Sequence, residues 1–183
     1  MKIKTCKSCD LCLTNKFTPV SGRGNHNSEI IIVGESPGYY ERKQGLPFVG
    51  KSGKLLQYFI DRYNFTNNTY ITNAVKCRPS GNRTPNKIEI ERCNKYLLAE
   101  LRIIRPEIII LLGNTAIESF YHKFIPISKV SGKITNGKPM VGFLYHPAYI
   151  LRNNDAVIDY IKVFDKVVDY YRDVVDYSHI VNF

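Results

Sequence analysis

The sequence predicts an α/β fold, a three-layer α/β/α sandwich around a central four-stranded parallel sheet. Four short apolar runs alternate with segments of helical periodicity, which is the pattern of parallel strands joined by crossover helices. The run at 108–112 contains only isoleucine and leucine, as is typical of a strand buried on both faces. Because 183 residues suffice for one core, we expect a single domain over residues 1–183.

The first half of the chain alternates strand and helix. Leu55, Leu56 and Phe59 fall on one face of a helical pattern that follows a glycine-rich loop, and the apolar run around Ile71 predicts the next strand. The predicted elements of this half are a Cys-rich segment over 1–28, a strand over 29–33, a loop over 34–50, a helix over 51–63, a strand over 70–75 and a loop over 76–85.

The second half repeats this alternation. Ile90, Leu97 and Leu101 lie near one face of a long helical pattern, which Pro106 ends. The predicted elements here are a helix over 86–104, the strand over 108–112, a short helix over 114–121, a turn-rich segment reaching 138, a strand over 141–145 and a final amphipathic helix over 155–171.

Each predicted strand is followed by a polar residue. These residues are Glu35, Asn73, Asn114 and His146. The carboxyl ends of parallel strands meet at one edge of the sheet, where ligands of open α/β sheets bind. We therefore expect a site at this edge.

The loop after the first strand has the composition of a ligand-binding loop. It contains a Gly-Glu-Ser-Pro-Gly turn at 34–38, which can bring backbone N–H groups close to a ligand. Phe48 follows and adds a flat apolar ring. A polar loop beside a stacking ring suits a planar heterocycle such as a nucleobase.

The net charge of +10 favours a polyanionic partner, most simply nucleic acid. The alternative is a lysine- and asparagine-rich proteome in which every protein is basic. No apolar run approaches the roughly 20 residues of a membrane span, and the first residues lack the apolar core of a signal peptide. We therefore expect an intracellular, soluble protein with no membrane partner.

The five cysteines point to a metal site rather than to disulfides in a reducing compartment. Cys6 and Cys9 have chelating spacing, and Cys77 and Cys93 can complete a four-thiolate site. Cys12 forms a second pair of the same spacing with Cys9, so spacing leaves the ligand set ambiguous. Zinc and an iron–sulfur cluster are both compatible with four cysteines, and buried free thiols are the third alternative.

An ordered set of motifs resembles the iron–sulfur uracil-DNA glycosylases, often called family 4. The resemblance covers nearly the whole chain, roughly residues 6–152, and each motif stands at a matching spacing. The motifs are Gly-Glu-Ser-Pro-Gly-x2-Glu, Gly-x-Pro-Phe-Val-Gly-Lys-Ser-Gly, Tyr-Ile-Thr-Asn-x-Val-Lys-Cys-Arg-Pro, Gly-Asn-Arg-Thr-Pro and His-Pro-Ala-Tyr-Ile-Leu-Arg.

The resemblance implies a cofactor and its ligands. A [4Fe–4S] cluster would be held by Cys6, Cys9, Cys77 and Cys93, with Cys12 at a position that the family does not use as a ligand. We expect the cluster to be structural, because glycosidic hydrolysis transfers no electron. It would tie the Cys-rich segment to the body of the protein.

The resemblance also implies a uracil pocket. Asn73 would pair its amide with the Watson–Crick edge of uracil, Phe48 would stack on the base, and His146 would donate a hydrogen bond to the uracil O2. The remaining predicted pocket residues are Glu35, Ser36 and Pro37. Sequence does not decide whether the imidazole acts in its neutral or its charged form.

The residue that handles the attacking water is open at this stage. Many other uracil-DNA glycosylases have an aspartate where this chain has Ser36, so Glu35 and Glu41 are the candidates. The chain also departs from the family at Arg42, usually an aspartate, and at Ser131, usually an arginine. Neither departure replaces a predicted uracil-binding residue.

DNA contacts are expected from two loops. Asn82 would position DNA or the pocket loop, and phosphates could be contacted by Arg83 and Arg152, as well as by Lys51 and Arg78. The predicted wedge consists of Ile150 and Leu151, which would insert where the base leaves the duplex.

The sequence therefore predicts a monofunctional uracil-DNA glycosylase of base excision repair, acting on DNA that contains uracil. No lysine is placed for a Schiff base, so we expect no strand cleavage. We expect a monomer, with a replication or repair protein as a candidate partner. The alternative is a catalytically weak DNA-binding or replication-accessory module of the same fold; a redox protein would leave the glycosylase motifs unused.

Overall fold

Four parallel strands form the centre of the structure, a computed structural model that describes residues 3, 5–14 and 18–174. The strands are β1 (Ile30–Gly34), β2 (Thr69–Asn73), β3 (Ile108–Leu112) and β4 (Met140–Leu144). They lie in the order β2-β1-β3-β4, and all three neighbouring pairs are parallel. The predicted fold class is confirmed, and each predicted strand is found within two residues of its expected ends.

Helices flank the sheet. They are α1 (Asp10–Thr14), α2 (Tyr39–Gln44), α3 (Lys51–Arg62), α4 (Lys87–Ile104), α5 (Asn114–Tyr121), α6 (Ile127–Val130), α7 (Pro147–Ile150) and α8 (Val157–Val174), with 3-10 turns at Thr66–Asn68, Ser80–Asn82 and Asn154–Ala156. From sequence, the segment of α2 is predicted to be a loop and that of α6 to be turns. Both expectations are wrong, because each segment forms a short helix. Among the described residues, no helix is both long and apolar enough to cross a membrane.

Alternate residues of the central strands serve two cores. Ile30, Ile32 and Ile110 pack with the side chains of α3 and α8 on one face of the sheet. Ile31 and Ile109 pack with α4 and α5 on the other face. The strands are buried along their whole length because helices cover both faces, as the unbroken apolar runs predict.

A capping box fixes the start of α4. The side chain of Asn86 accepts a hydrogen bond from the Glu89 backbone N–H, and the Glu89 carboxylate accepts one from the Asn86 N–H. Arg83 forms two further hydrogen bonds to the same carboxylate, at 2.6 and 2.8 Å, and this partner lowers the pKa of Glu89. The loop after β2 is therefore joined to the first turn of α4.

The described part of the N-terminal segment runs beside the edge strand β2. Arg23 and Ile71 exchange backbone hydrogen bonds in an antiparallel bridge. The Arg23 guanidinium also donates to the Pro47 carbonyl at 3.1 Å and to Gln57 at 3.0 Å. Hydrogen bonds therefore hold this segment to the sheet and to the loop before α3.

Candidate active site

The strand order places a crevice between the carboxyl ends of β1 and β3. The chain passes from β1 to β2 on one side and later returns to β3 on the other side of β1, so the connections that follow β1 and β3 diverge. A cavity of about 270 Å³ opens at this edge. Its lining contains all six predicted uracil-binding residues together with others: Glu35, Ser36, Pro37, Gly38, Glu41, Phe48, Ser52, Asn73, Asn82, His146 and Ala148.

The ring of Phe48 forms one wall of the cavity. It is 7% exposed and stacks on the His146 ring with 5.6 Å between centroids. Phe48 has a φ of +55°, which residues other than glycine rarely adopt. The local backbone is therefore strained in the conformation that places the ring at the cavity. A Cβ on Gly53 would lie only 2.0 Å from the Phe48 carbonyl oxygen, so glycine is required beneath this strained turn.

Asn73 ends β2 and presents its amide to the cavity. Its side chain is buried, and the Cα of Gly34 on the neighbouring strand lies directly against it. A Cβ on Gly34 would come within 2.5 Å of both the Asn73 Oδ1 and the Phe48 ring. The amide and the ring can therefore approach each other only because residue 34 has no side chain.

A buried ion pair stands directly behind Asn73. The Lys76 ammonium donates to the Asn73 carbonyl at 2.7 Å, to the Thr72 hydroxyl at 2.6 Å and to the Glu100 carboxylate at 2.6 Å. Both charged side chains are 1% exposed. All three donors of the ammonium are used, so the backbone at the end of β2 is held from inside the protein. Neither charged residue is among the site residues predicted from sequence.

His146 caps the short helix α7. Its Nδ1 accepts a hydrogen bond from the Ala148 backbone N–H at 3.2 Å, so the proton of the neutral ring resides on Nε2. Burial lowers the pKa of His146 to about 4, although the Glu41 carboxylate opposes the shift. The imidazole is therefore neutral at pH 7, with an Nε2–H available to donate.

Glu35 follows β1 and is held from the far side of the crevice. Its Oε2 accepts a hydrogen bond of 2.8 Å from the hydroxyl of Thr115, which follows β3. Burial raises the pKa of the Glu35 carboxyl, and the Thr115 hydrogen bond partly opposes this increase. Thr115 was not predicted from sequence, and its only signal is its place three residues after the end of a predicted strand.

Glu41 has a different environment. Its Oε1 accepts hydrogen bonds from the backbone N–H groups of Val49 and Gly50, at 3.0 and 2.9 Å. These groups belong to the turn that carries Phe48, so the carboxylate fixes the stacking ring. Glu41 lines the cavity, but one of its two oxygens is already engaged.

The predicted DNA contacts are only partly accessible. Asn82 lines the cavity and accepts a 2.6 Å hydrogen bond from Arg78. Arg152 is exposed, and its charge contributes to lowering the pKa of His146. Leu151 is 49% exposed, but Ile150 is 2% exposed, since α7 packs on α3 and turns this side chain into the core. Of the two residues expected to form the wedge, Ile150 is therefore not available at the surface, and only Leu151 is exposed.

All five cysteines line a second, small pocket between the N-terminal segment, the loop after β2 and α4. Cys12, which is not among the predicted ligands, also lies in this pocket, with its Sγ 3.6 Å from that of Cys77. The backbone N–H of Lys76 donates to the Cys93 Sγ at 3.2 Å. Burial raises the pKa of Cys77 to about 12 and that of Cys93 to about 11.

A thiol-lined pocket of this kind matches the donor set of iron–sulfur and zinc centres. Clustered thiolates need a bound cation to offset the cost of burying their charge. Within the described ranges, no three cysteine, histidine or acidic side chains form a group arranged for a single metal ion.

Comparisons with known proteins agree with this geometry. The family model of the uracil DNA glycosylase superfamily matches residues 21–174. A type-4 uracil-DNA glycosylase of Archaeoglobus fulgidus is 39% identical, with 91% of this chain and 88% of that protein covered. The type-4 enzyme of Thermotoga maritima is 41% identical, with 83% of this chain and 81% of that protein covered. The chain belongs to the type-4 uracil-DNA glycosylases. The resemblance drawn from the motifs is thereby confirmed.

A third similarity extends to a larger protein. A DNA polymerase of Bacillus phage SP01 is 34% identical over 73% of this chain, which corresponds to 15% of the polymerase. A segment similar to a type-4 glycosylase therefore also occurs within a protein that is named for DNA synthesis.

The two departures from the type-4 pattern lie outside the cavity lining. Ser131 donates a hydrogen bond of 2.5 Å to Asp159 on α8. Arg42 lies on α2, with its guanidinium carbon 5.8 Å from the centre of the Tyr39 ring. The cavity also includes Ser52 and Ala148, which belong to the sequence motifs but were not predicted as site residues.

Proposed function

We propose that this chain is a monofunctional uracil-DNA glycosylase that hydrolyses the N-glycosidic bond of deoxyuridine in DNA and leaves an abasic site for base excision repair. The single observation that carries the proposal is the convergence of Asn73, Phe48 and His146 on one cavity. A DNA substrate implies that the activity operates inside the cell. The net charge of +10 supports binding to that substrate.

Base recognition is assigned to Asn73 and Phe48. Uracil presents an acceptor at O4 and a donor at N3, and the Asn73 amide offers the complementary donor and acceptor. Cytosine reverses both groups at this edge, so its pairing with the same amide orientation would fail. The Phe48 ring supplies a stacking surface worth about 1–3 kcal/mol for an extruded base.

His146 is assigned to the leaving group. As the bond between C1′ and N1 breaks, its electron pair moves onto the uracil ring and places negative charge on O2 and N1. The Nε2–H of a neutral imidazole can donate to O2 there, as donors of an oxyanion hole do. The hydrogen bond from Ala148 supports this tautomer, because it occupies Nδ1 as an acceptor.

Glu35 is assigned to the water and to the sugar. A water oxygen adds to C1′, and its proton passes to the carboxylate or to solvent while uracil leaves as an anion. Burial disfavours the charge of Glu35 in the resting site, so a cationic sugar in the transition state would relieve that cost. The contacts of Glu41 with Val49 and Gly50 favour a positioning role for Glu41.

Strand cleavage is not expected. Such cleavage proceeds through a Schiff base on a free amine. Lys76, the lysine behind Asn73, has its ammonium fully buried and engaged by three acceptors.

We assign the cysteine pocket to a [4Fe–4S] cluster held by Cys6, Cys9, Cys77 and Cys93. When bound, the cluster would act as a structural crosslink between the N-terminal segment, the loop after β2 and α4. Visible iron–sulfur absorption with stoichiometric iron and sulfide would support it. Stoichiometric zinc in anaerobically prepared protein would refute it.

The deciding test is uracil release from a labelled oligonucleotide with one deoxyuridine. We expect an abasic site, detected by alkaline cleavage, and free uracil detected by chromatography. Asn73→Ala should abolish uracil release. Arg105→Gln, a surface substitution at the end of α4, is the control and should leave release unchanged. Absence of abasic product at enzyme excess, with the cluster intact, would overturn the proposal.

A second candidate is a replication-accessory module that binds DNA without turnover. The similarity to a segment of a phage DNA polymerase favours it. It predicts salt-sensitive DNA binding with no uracil release. If Arg42 were the cause of lost turnover, Arg42→Asp would restore it; rapid release by the unaltered protein excludes this candidate.

A further inference from the structure

The peptide unit that joins Asn73 to Ala74 is held at both of its polar ends. Its N–H group, which belongs to Ala74, donates to the Gly34 carbonyl at 2.9 Å. Its C=O group, which belongs to Asn73, accepts from the Lys76 ammonium at 2.7 Å. Because a peptide unit is planar and its two polar groups point in opposite directions, these hydrogen bonds together resist its rotation. That rotation is the ψ angle of Asn73, the residue that we assign to the base.

The outer side of β2 explains why a side chain supplies one of these bonds. β2 lies at the edge of the sheet, and on its outer side the Ile71 backbone pairs with Arg23 of the N-terminal segment. Backbone groups of successive strand residues point to alternate sides, so the Asn73 carbonyl points to the same side as that of Ile71. There the buried ammonium of Lys76 gives the carbonyl the donor that a buried backbone group requires.

The lysine is itself held by one face of α4. Its ammonium donates to the Glu100 carboxylate at 2.6 Å, and its backbone N–H donates to the Cys93 Sγ at 3.2 Å. Glu100 and Cys93 are seven residues apart, which places them two turns apart on the same helix face. The Thr72 hydroxyl also donates to Glu100, at 2.9 Å. Both ends of Lys76 are therefore fixed on one rigid element, and through it the Asn73 carbonyl is fixed too.

The direction of the Asn73 amide depends on this restraint. The loop after Asn73 is anchored to the loop after β1, because Val75 donates to the Glu35 carbonyl at 2.9 Å. A change in the ψ angle of Asn73 would therefore tilt that residue itself and displace its amide oxygen and nitrogen together. Pairing with uracil needs both atoms in line with the base edge, and hydrogen bonds weaken steeply as they bend.

We propose that Lys76, oriented by Glu100, is a positioning residue for base selection, which sets the direction of the Asn73 amide and with it the preference of the site for uracil over cytosine. This inference rests on the proposed function, from which it takes the pairing of Asn73 with uracil. The lysine acts through Asn73, since its own ammonium is buried and engaged by three acceptors. The ion pair thereby has a role in specificity in addition to its contribution to stability.

The test measures binding of the base apart from cleavage. Three fluorescent single-stranded oligonucleotides differ only at the central nucleotide, which carries uracil on a 2′-fluoroarabinose that resists hydrolysis, cytosine on the same sugar, or a tetrahydrofuran without a base. Anisotropy titrations give a Kd for each probe. In Lys76→Met combined with Glu100→Leu, affinity for the uracil probe should fall about five- to tenfold, as expected for one lost hydrogen bond. Affinity for the other two probes should stay unchanged.

The double variant separates positioning from stability. Replacing both partners leaves no unpaired buried charge, so the protein should fold, but it cannot donate to the Asn73 carbonyl. Lys76→Met alone lacks the same donor and should show the same loss of preference, so either variant can carry the test. Val167→Ala, at a buried position on α8, is the control, and it should lower the free energy of unfolding without changing the preference. Circular dichroism and visible absorption of the cluster check that each protein is folded and loaded.

The outcomes separate this inference from the proposed function. If both variants keep the full preference of the unaltered protein for uracil, Lys76 is not a positioning residue, whatever the rate of uracil release. An equal fall in affinity for all three probes would also overturn the inference, because it would show a general defect in binding. An unaltered protein that prefers uracil through Lys76 but releases none would retain the inference and lose the glycosylase. An unaltered protein that shows no preference for uracil would overturn the inference.

Discussion

Thr115 donates a 2.8 Å hydrogen bond to Glu35 across the crevice where the connections after β1 and β3 diverge. The two residues are 80 positions apart in sequence, and each follows one of the two central strands. The hydroxyl opposes the rise in the Glu35 pKa that burial causes. Thr115 is therefore a positioning residue for the carboxylate that we assign to the water.

Removing this hydrogen bond should change the pH profile. In Thr115→Val the pKa of Glu35 rises further, because a hydrogen bond that favours the ionised form is lost. A hydrogen bond to a charged group contributes about 1.5–3 kcal/mol, so the acidic limb of single-turnover rate against pH should move clearly to higher pH. Thr115→Ser keeps the hydroxyl and should keep the limb in place. A uniform loss of rate without movement of the limb would contradict the assignment.

His146 should remain neutral throughout the neutral range. Its pKa is lowered from 6.5 to about 4, so between these values the unfolded chain binds a proton that the folded chain does not. Stability from this group is therefore complete above about pH 6.5 and falls as the pH drops towards 4. Nitrogen chemical shifts of labelled histidine should show an Nε2–H tautomer at pH 7. An imidazolium signal for His146 at that pH would refute the neutral donor.

Glu41 can be tested as a positioning acceptor or as a base. Glu41→Gln retains an oxygen that can accept from Val49 and Gly50 but cannot take a proton from water. If the carboxylate only holds the turn of Phe48, Gln should keep most of the single-turnover rate, whereas Glu41→Ala should lower it about tenfold or more. Equal and severe losses in both variants would instead favour Glu41 as the base.

The ion pair behind Asn73 should be costly to break. In Lys76→Met the Glu100 carboxylate loses its buried partner, which typically destabilises a protein by about 3–5 kcal/mol. Replacing both residues with apolar ones, as in Lys76→Met with Glu100→Leu, should recover part of this loss. Denaturant unfolding measures both changes, with cluster absorption followed separately because Lys76 adjoins Cys77. Additive effects in the double variant would show that the pair is not coupled.

The strands could be predicted from sequence because their burial is uniform. Ile30 and Ile108 begin continuous apolar runs, and such runs indicate buried strands without knowledge of the neighbouring strands, since both faces of the sheet are covered. The helix α2 could not, because its six residues present no apolar face and none is buried. Its conformation depends on the glycines at its two ends and on the contacts of Glu41.

The cavity was predicted more fully than its supports. Asn73, Phe48 and His146 stand in local motifs at the ends of strands, so sequence alone points to one edge of the sheet. The partners that set their chemistry, such as Thr115, lie far away in the chain and carry no pattern of their own. Ile150 shows the opposite failure, since a motif suggests contact with DNA but the packing of α7 on α3 buries the side chain.

The bare Cα of Gly34 has a consequence for how this enzyme can vary. A Cβ there would lie 2.5 Å from both the Asn73 Oδ1 and the Phe48 ring, so any side chain would displace the two groups that we assign to base recognition. In a mutational scan selected for uracil release, position 34 should therefore tolerate one residue only. The stacking ring of Phe48 and the amide of Asn73 both pack against Gly34, so a substitution at this position would change stacking and base pairing together.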